Sequence, residues 1–210
     1  TANMFAFFLN AAATGSFAIS TATFTSASIA LFFSGSLQGA SLSLTNVAAT
    51  TTAAADALYI SATSSATISV SGGAFSGASG GIRFHSPIDA ATTVTIGGSA
   101  LTVGSSAGTA LNFVGAVAGT VSVTGGTFTG ASGIRFDEAM AASTVSLTDV
   151  VAVAAAGAAD GGLIFSKALR GASISLRNGA FSGHRSVYFM GTVDDSVVSI
   201  DGGAFTCGYV

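Results

Sequence analysis

The sequence predicts an all-β chain: a single parallel β-helix, or β-solenoid, of about eight coils of 23–29 residues, with three short strands per coil. Three observations carry that prediction. An apolar-x-Phe motif recurs from one end to the other, two further period-two segments follow each copy at similar offsets, and glycine pairs mark corners between them. One coil reads TVSVTGGTFTGASGIRF, Thr120 to Phe136. Such a unit buries its apolar side only against its neighbours, so a repeat of this kind outranks any globular reading.

The anchors of the first strand are Phe8, Phe33, Ile60, Phe84, Phe113, Phe136, Phe165 and Phe189, at steps of 25, 27, 24, 29, 23, 29 and 24 residues. A second strand follows each anchor, with inward pairs Phe17/Ile19, Leu42/Leu44, Ile68/Val70, Val94/Ile96, Val121/Val123, Val145/Leu147, Ile174/Leu176 and Val198/Ile200. The third strand is expected to bury Phe24, Val47, Phe75, Leu101, Phe128, Val151 or Val153, Phe181 and Phe205. Gly72-Gly73, Gly97-Gly98, Gly125-Gly126 and Gly202-Gly203 stand after the second strand, where positive φ turns a corner without steric cost. They are corners rather than phosphate cradles, because neither a following helix nor a lysine accompanies VTGGTFTG. Parallel crossovers are right-handed in nearly all proteins, so a right-handed coil is expected. Eight coils at ~4.8 Å make a rod of roughly 38 Å.

Composition fits an uncharged repeat. Half of the 210 residues are apolar, 7% are charged where about a quarter is usual, and the first charged residue is Asp56. Residues 1–28 contain MFAFFLNAAA, similar to the apolar part of a secretory leader, but no basic residue precedes it and its spacing suits a first coil. The whole of 1–210 therefore reads as one solenoid domain, or as a segment of a longer repeat protein or filament. A chain that starts at Thr1 suits a processed or excised block in an extracellular or cell-surface setting. No apolar run is long enough to cross a membrane as a helix.

Coil length alternates. The third, fifth and seventh coils carry GAFSGASG, GTFTGASG and GAFSGHRS, whereas the second, fourth and sixth carry the longer NVAATTTAAADA, SALTVGSSAGTA and DVVAVAAAGAADGG, expected to bulge from one edge. The few charges test the register. Glu138 and Lys167, Arg170 and Asp194, and Arg177 and Asp201 fall at equal offsets on consecutive coils, each an opposite-sign cross-strand pair.

Two outward surfaces are candidates for contact. Flanking the inward pairs of the second strand run Ser16, Ser41, Thr67, Thr93, Thr120, Thr144 and Ser173 in one column. Ser43, Ser69, Thr95, Ser122, Ser146, Ser175 and Ser199 form a second, and Ser20, Thr45, Ser71, Thr124 and Thr148 a third. This hydroxyl grid resembles the flat faces of β-helical ice-binding proteins, which usually use Thr-x-Thr arrays; here serine fills the middle column. Plain solvent exposure or O-glycan attachment would also account for it. On the first strand the outward column is expected to hold Phe7, Phe32, Tyr59, Arg83, Asn112, Arg135, Ile164 and Tyr188. Aromatics and arginines in line compose a contact surface that a terminal segment or a neighbouring copy could cover, and that could stack on the rings of a glycan.

Catalytic, metal and cofactor chemistry is not indicated. His85 and His184 sit in different loops several coils apart, Asp137 occupies the column of His85 roughly 10 Å away, and Cys207 has no partner cysteine. Pectate-lyase-like β-helix enzymes gather several acidic ligands and a basic residue on one face, and no such gathering occurs here. With a pI near 4.9 and no basic run, nucleic acid is not an expected partner.

The ends point to self-association. A parallel β-helix has open strand edges that natural proteins blunt with charge, proline or a covering helix, and none of these is evident at either end. Head-to-tail stacking would set Phe189 beside Phe8, Ile200 beside Ile19 and Phe205 beside Phe24 of a following copy, and an open contact of this kind builds a filament. The VSVTGGTFTGASGIRF-type coils, over nearly the whole length, resemble those of large repetitive β-helix surface proteins and adhesins of microbes. That resemblance implies the fold and an extracellular setting and assigns no functional residue.

Overall fold

The computed structural model describes residues 5–61, 65–155 and 161–208, and it is a parallel β-solenoid of eight turns. The first strands are Phe5–Leu9, Ile29–Phe33, Asp56–Ile60, Gly80–Phe84, Thr109–Phe113, Ser132–Phe136, Gly161–Phe165 and Arg185–Phe189. They stack in sequence order into one eight-stranded parallel sheet. The second and third strands of every coil share a fourteen-stranded sheet, because in coils two and three they run without a break as Ser41–Thr51 and Thr67–Gly77.

The anchors stack as expected along most of the rod. The rings of Phe84, Phe113, Phe136, Phe165 and Phe189 lie 4.8–5.0 Å apart, within 8° of parallel. That spacing is the strand spacing itself, so each strand step places one ring on the next. All eight second-strand pairs fall in the predicted register, from Phe17 and Ile19 to Val198 and Ile200.

The first coil is shifted by one residue from the expectation. Leu9, not Phe8, pairs with Phe33, and Phe8 pairs with Phe32 on the outside. Because side chains alternate faces, one step exchanges inside for outside. Phe7 therefore turns inward to meet the rings of Phe24 and Phe33 at 6.2 and 5.6 Å, while Phe8 stacks outside on Phe5 and Phe32.

A second correction concerns the third strand of the long coils. The inward residues there are Ala49, Val103 and Ala152, in register with Phe24, Phe75, Phe128, Phe181 and Phe205 of the other coils. Val47 and Leu101 are buried two residues earlier, Val150 holds that position in coil six, and Val151 points to solvent. Val47 pairs with Gly73, and the same corner position is taken by Gly126 and Gly179 in the other short coils and by Gly203 in the eighth. From the second coil to the seventh, large-x-small thus alternates with Gly-x-Phe, and the eighth repeats Gly-x-Phe. A Cβ added to Gly179 would lie 2.4 Å from Cε2 and 2.8 Å from Cζ of Phe181, so the ring fills the volume that the glycine leaves.

The Ala-rich stretches do not bulge as wholes, because they include the third strands themselves. Their surplus lies in the link to the next first strand, 52–55 in coil two and 106–108 in coil four; that of coil six falls partly outside the described residues. A short fourth ladder, absent from the sequence expectation, joins Ile88, Val117, Met140, Leu169 and Val193. Each second-to-third corner contains a residue of positive φ, Thr21, Asn46, Gly72, Gly98, Gly125, Asp149, Asn178 or Gly202, and Gly73, Gly126 and Gly203 add a second in the third, fifth and eighth coils. Asn and Asp tolerate this conformation better than other residues with a Cβ, which extends the glycine-corner pattern to coils without a Gly-Gly pair.

Candidate functional site

The hydroxyl grid is in register across the second sheet. Ser43, Ser69, Thr95, Ser122 and Ser146 form an unbroken cross-strand row, as do Thr67, Thr93, Thr120 and Thr144 beside it. Within the grid one hydroxyl-to-hydroxyl bond is formed, Ser41 Oγ donating to Ser16 Oγ at 2.8 Å. The third column is interrupted at Gly97, which stands between Ser71 and Thr124. An added Cβ there would come 2.5 Å from the Thr124 carbonyl oxygen, so that approach requires glycine. A shallow depression of about 450 Å³ results, bordered by Ser69, Thr95, Ser99 and Asp149.

The outward column of the first sheet reads Phe8, Phe32, Tyr59, Arg83, Asn112, Arg135, Ile164 and Tyr188. It is the expected column except that Phe8 replaces Phe7. Its rings touch: Phe32 packs edge-on against Tyr59 at 5.1 Å, and Tyr59 stacks on His85 at 5.4 Å. Arg185 lies 4.2 Å from the centre of the Tyr188 ring.

Polar groups gather at the middle of this column. Asp56, at the start of its strand, is 4% exposed and accepts Nη1 of Arg83 on Oδ2 at 3.3 Å. Its Oδ1 rests over Gly80, where a Cβ would approach to 2.4 Å, and it forms no hydrogen bond among the described residues. Arg83 Nε and Asn112 Oδ1 are likewise buried without a hydrogen-bond partner. Burial raises the Asp56 carboxyl above its ordinary range, against the pull of Arg83 and His85. Burial also raises the Tyr59 hydroxyl, with Arg83 opposing and Asp56 adding. One coil beyond Asn112, Arg135 is paired through Nε with Asp137. Neither the Asp56–Arg83 pair nor the Arg135–Asp137 pair was foreseen. Asp56 and Gly80 share a register position that the anchor spacing does contain, since each lies four residues before its anchor.

No protein-family model, curated protein or solved structure matches this chain.

The remaining candidates separate by location. Arg177 and Asp201 pair at 3.5 Å, both well exposed. Arg170 and Asp194 are register partners and Glu138 faces Lys167, but among the described residues no ion pair within 4 Å joins either couple; Asp194 instead accepts from Thr192 Oγ1 at 3.1 Å. Exposed pairs of this kind contribute only ~0.2–1 kcal/mol in any case. Among the described residues no three His, Cys, Asp or Glu side chains are placed to hold a metal ion, and no helix is long and apolar enough to cross a membrane. Cys207 Sγ lies 3.6 Å from Ser186 Oγ, a hydrogen bond that lowers its thiol pKa.

The end coils differ from the interior. In the eighth coil Val193, Ile200 and Phe205 are 46%, 53% and 41% exposed, whereas their partners Leu169, Leu176 and Phe181 are each 1% exposed. In the first coil Phe7, Leu9, Phe17, Ile19 and Phe24 pack against the core and remain half-buried.

Proposed function

We propose that this chain is a structural β-solenoid of an extracellular or cell-surface fibre, and that its coils associate end to end with those of further copies. The observation that carries the reading is the open apolar face of the eighth coil, whose columns match those of the first. Phe205 would meet Phe24, Ile200 would meet Ile19, and Phe189 would meet Leu9 rather than the outward Phe8. Three inward side chains of the eighth coil at about 1.5–3 kcal/mol each give about 4.5–9 kcal/mol, comparable with the ~4–15 kcal/mol cost of association. Assembly is therefore expected to depend strongly on concentration. Electron microscopy and sedimentation velocity over a concentration series test it. Rods are expected for the natural chain and are lost in Ile200→Asp and Ile19→Asp; particles that stay monomeric at every concentration would refute the proposal.

A second reading, ice binding, is supported by the register of the hydroxyl grid and by how few of its hydroxyls bond to one another. Thermal hysteresis would be lost in Thr95→Lys and Ser122→Lys, with rods unaffected. A chain without thermal hysteresis removes this reading and leaves the first in place.

A further inference from the structure

We infer that the first sheet carries a saccharide-binding site centred on Tyr59, His85, Arg83, Asp56 and Asn112, and that its ligand is an uncharged pyranoside. This inference is independent of end-to-end stacking, because the site lies on the side of the rod in coils three to five.

The chemistry of the cluster fits one class of ligand. Tyr59 and His85 stack in a narrow file that Phe32 and Phe8 continue, with Phe5 packed against those last two at 5.2 and 4.9 Å. Protein partners favour broader apolar patches depleted of charge at the centre. Here the strip runs directly into an ion pair that joins the strand of Tyr59 to the next one, Asp56 with Arg83. A pyranose ring offers both complements: an apolar C–H face for an aromatic ring, and hydroxyls that donate and accept at its rim.

Unused hydrogen-bonding capacity is concentrated at this point. Asp56 Oδ1, Arg83 Nε and Asn112 Oδ1 are all buried without a hydrogen-bond partner among the described residues, on three successive coils. Buried polar atoms are normally hydrogen-bonded, and a cluster of exceptions marks a place where a ligand can supply the missing partners. The Arg83 side chain is 29% exposed although its Nε is buried, so it is the group through which a hydroxyl-bearing ligand enters the cluster. The absence of ligand charge follows from pairing. Arg83 is held by Asp56 and Arg135 by Asp137, so the site has donors and acceptors in fixed positions but no net attraction for an anion.

The test is binding of the full chain to an array of neutral and acidic saccharides, followed by calorimetric titration with the best neutral one. Binding confined to neutral pyranosides is expected, weakened at least about tenfold in Tyr59→Leu and in Arg83→Met and retained within about threefold in Tyr59→Phe. Melting curves identify any variant that fails to fold, and Tyr59→Phe against Tyr59→Leu then decides alone, since both keep an apolar side chain and only one keeps a ring. Three results would overturn the inference: no saccharide bound, binding only to acidic saccharides, or affinity unchanged in Tyr59→Leu. A change of oligomeric mass in Tyr59→Leu without saccharide binding would assign the strip to lateral contact between copies and would also overturn it.

Discussion

The exchange of volume between neighbouring coils can be measured by moving one coil's pattern into another. In coil six the corner and third strand read Val150-x-Ala152, and in coil seven the register-equivalent residues are Gly179-x-Phe181. Gly179→Val alone places a Cβ 2.4 Å from the Phe181 ring, an overpacking expected to cost about 1–3 kcal/mol. Phe181→Ala alone empties a position that is 1% exposed, at about 3–5 kcal/mol, and also removes the ring that stacks on Phe205 at 5.7 Å. The double variant puts a branched side chain into the volume the ring vacated. Its destabilisation should fall short of the sum of the two by about 1.5–3 kcal/mol, a coupling typical of side chains in direct contact. Equilibrium urea unfolding of the four proteins gives the cycle. Additivity within about 0.5 kcal/mol would refute the claim that ring and glycine share one volume.

Three other expectations follow from particular residues. Phe136→Ala, at the centre of the five-ring stack, should destabilise by about 4–6 kcal/mol, combining the cavity cost with two lost ring contacts; chemical denaturation checks it. Ala142 holds φ at 49°, a conformation that penalises a Cβ by about 1–2 kcal/mol, so Ala142→Gly should leave stability unchanged or raise it by up to about 1 kcal/mol, read from the urea midpoint. Burial raises the folded-state pKa of Asp56, so the folded chain holds this proton more tightly than the unfolded one. The stability from that proton is complete below the unfolded pKa and is lost as pH rises through the folded pKa. The melting temperature of the natural chain should therefore rise relative to Asp56→Asn as pH is lowered through the Asp56 titration.

The fold was legible because its signal is one-dimensional. Ring anchors at 23–29-residue steps and period-two apolar pairs specify parallel stacking without reference to anything outside the coil, and the second strand was readable to the residue. The first coil was misread by one position because AFFL offers apolar residues on both faces, and only contacts of Phe7 with Phe24 and Phe33 decide between them. The third strand of the long coils was misread for a related reason. Val47, Leu101 and Val151 or Val153 look like the best core candidates in their segments, but the position two after the corner takes Ala49, Val103 and Ala152 because the adjacent coils already put phenylalanine there. That choice depends on neighbouring coils and is invisible within one. The same limit applies to the polar cluster: Asp56 is conspicuous in sequence as the first charge, but its burial appears only when Gly80 is set beside it in register.

The alternation of Gly-x-Phe with large-x-small gives the rod a parity. Its smallest translational unit is a pair of coils, as in a chain of two alternating atoms, spanning 51, 52 and 53 residues between Phe33, Phe84, Phe136 and Phe189. Between the second and seventh coils, adding or deleting one coil shifts the phase and sets small residue against small residue or ring against ring, as Phe181 and Phe205 are already set where the eighth coil follows the seventh; adding or deleting two preserves it. In-phase growth of that stretch by duplication, natural or engineered, therefore comes in steps of about 9.6 Å, twice the strand spacing.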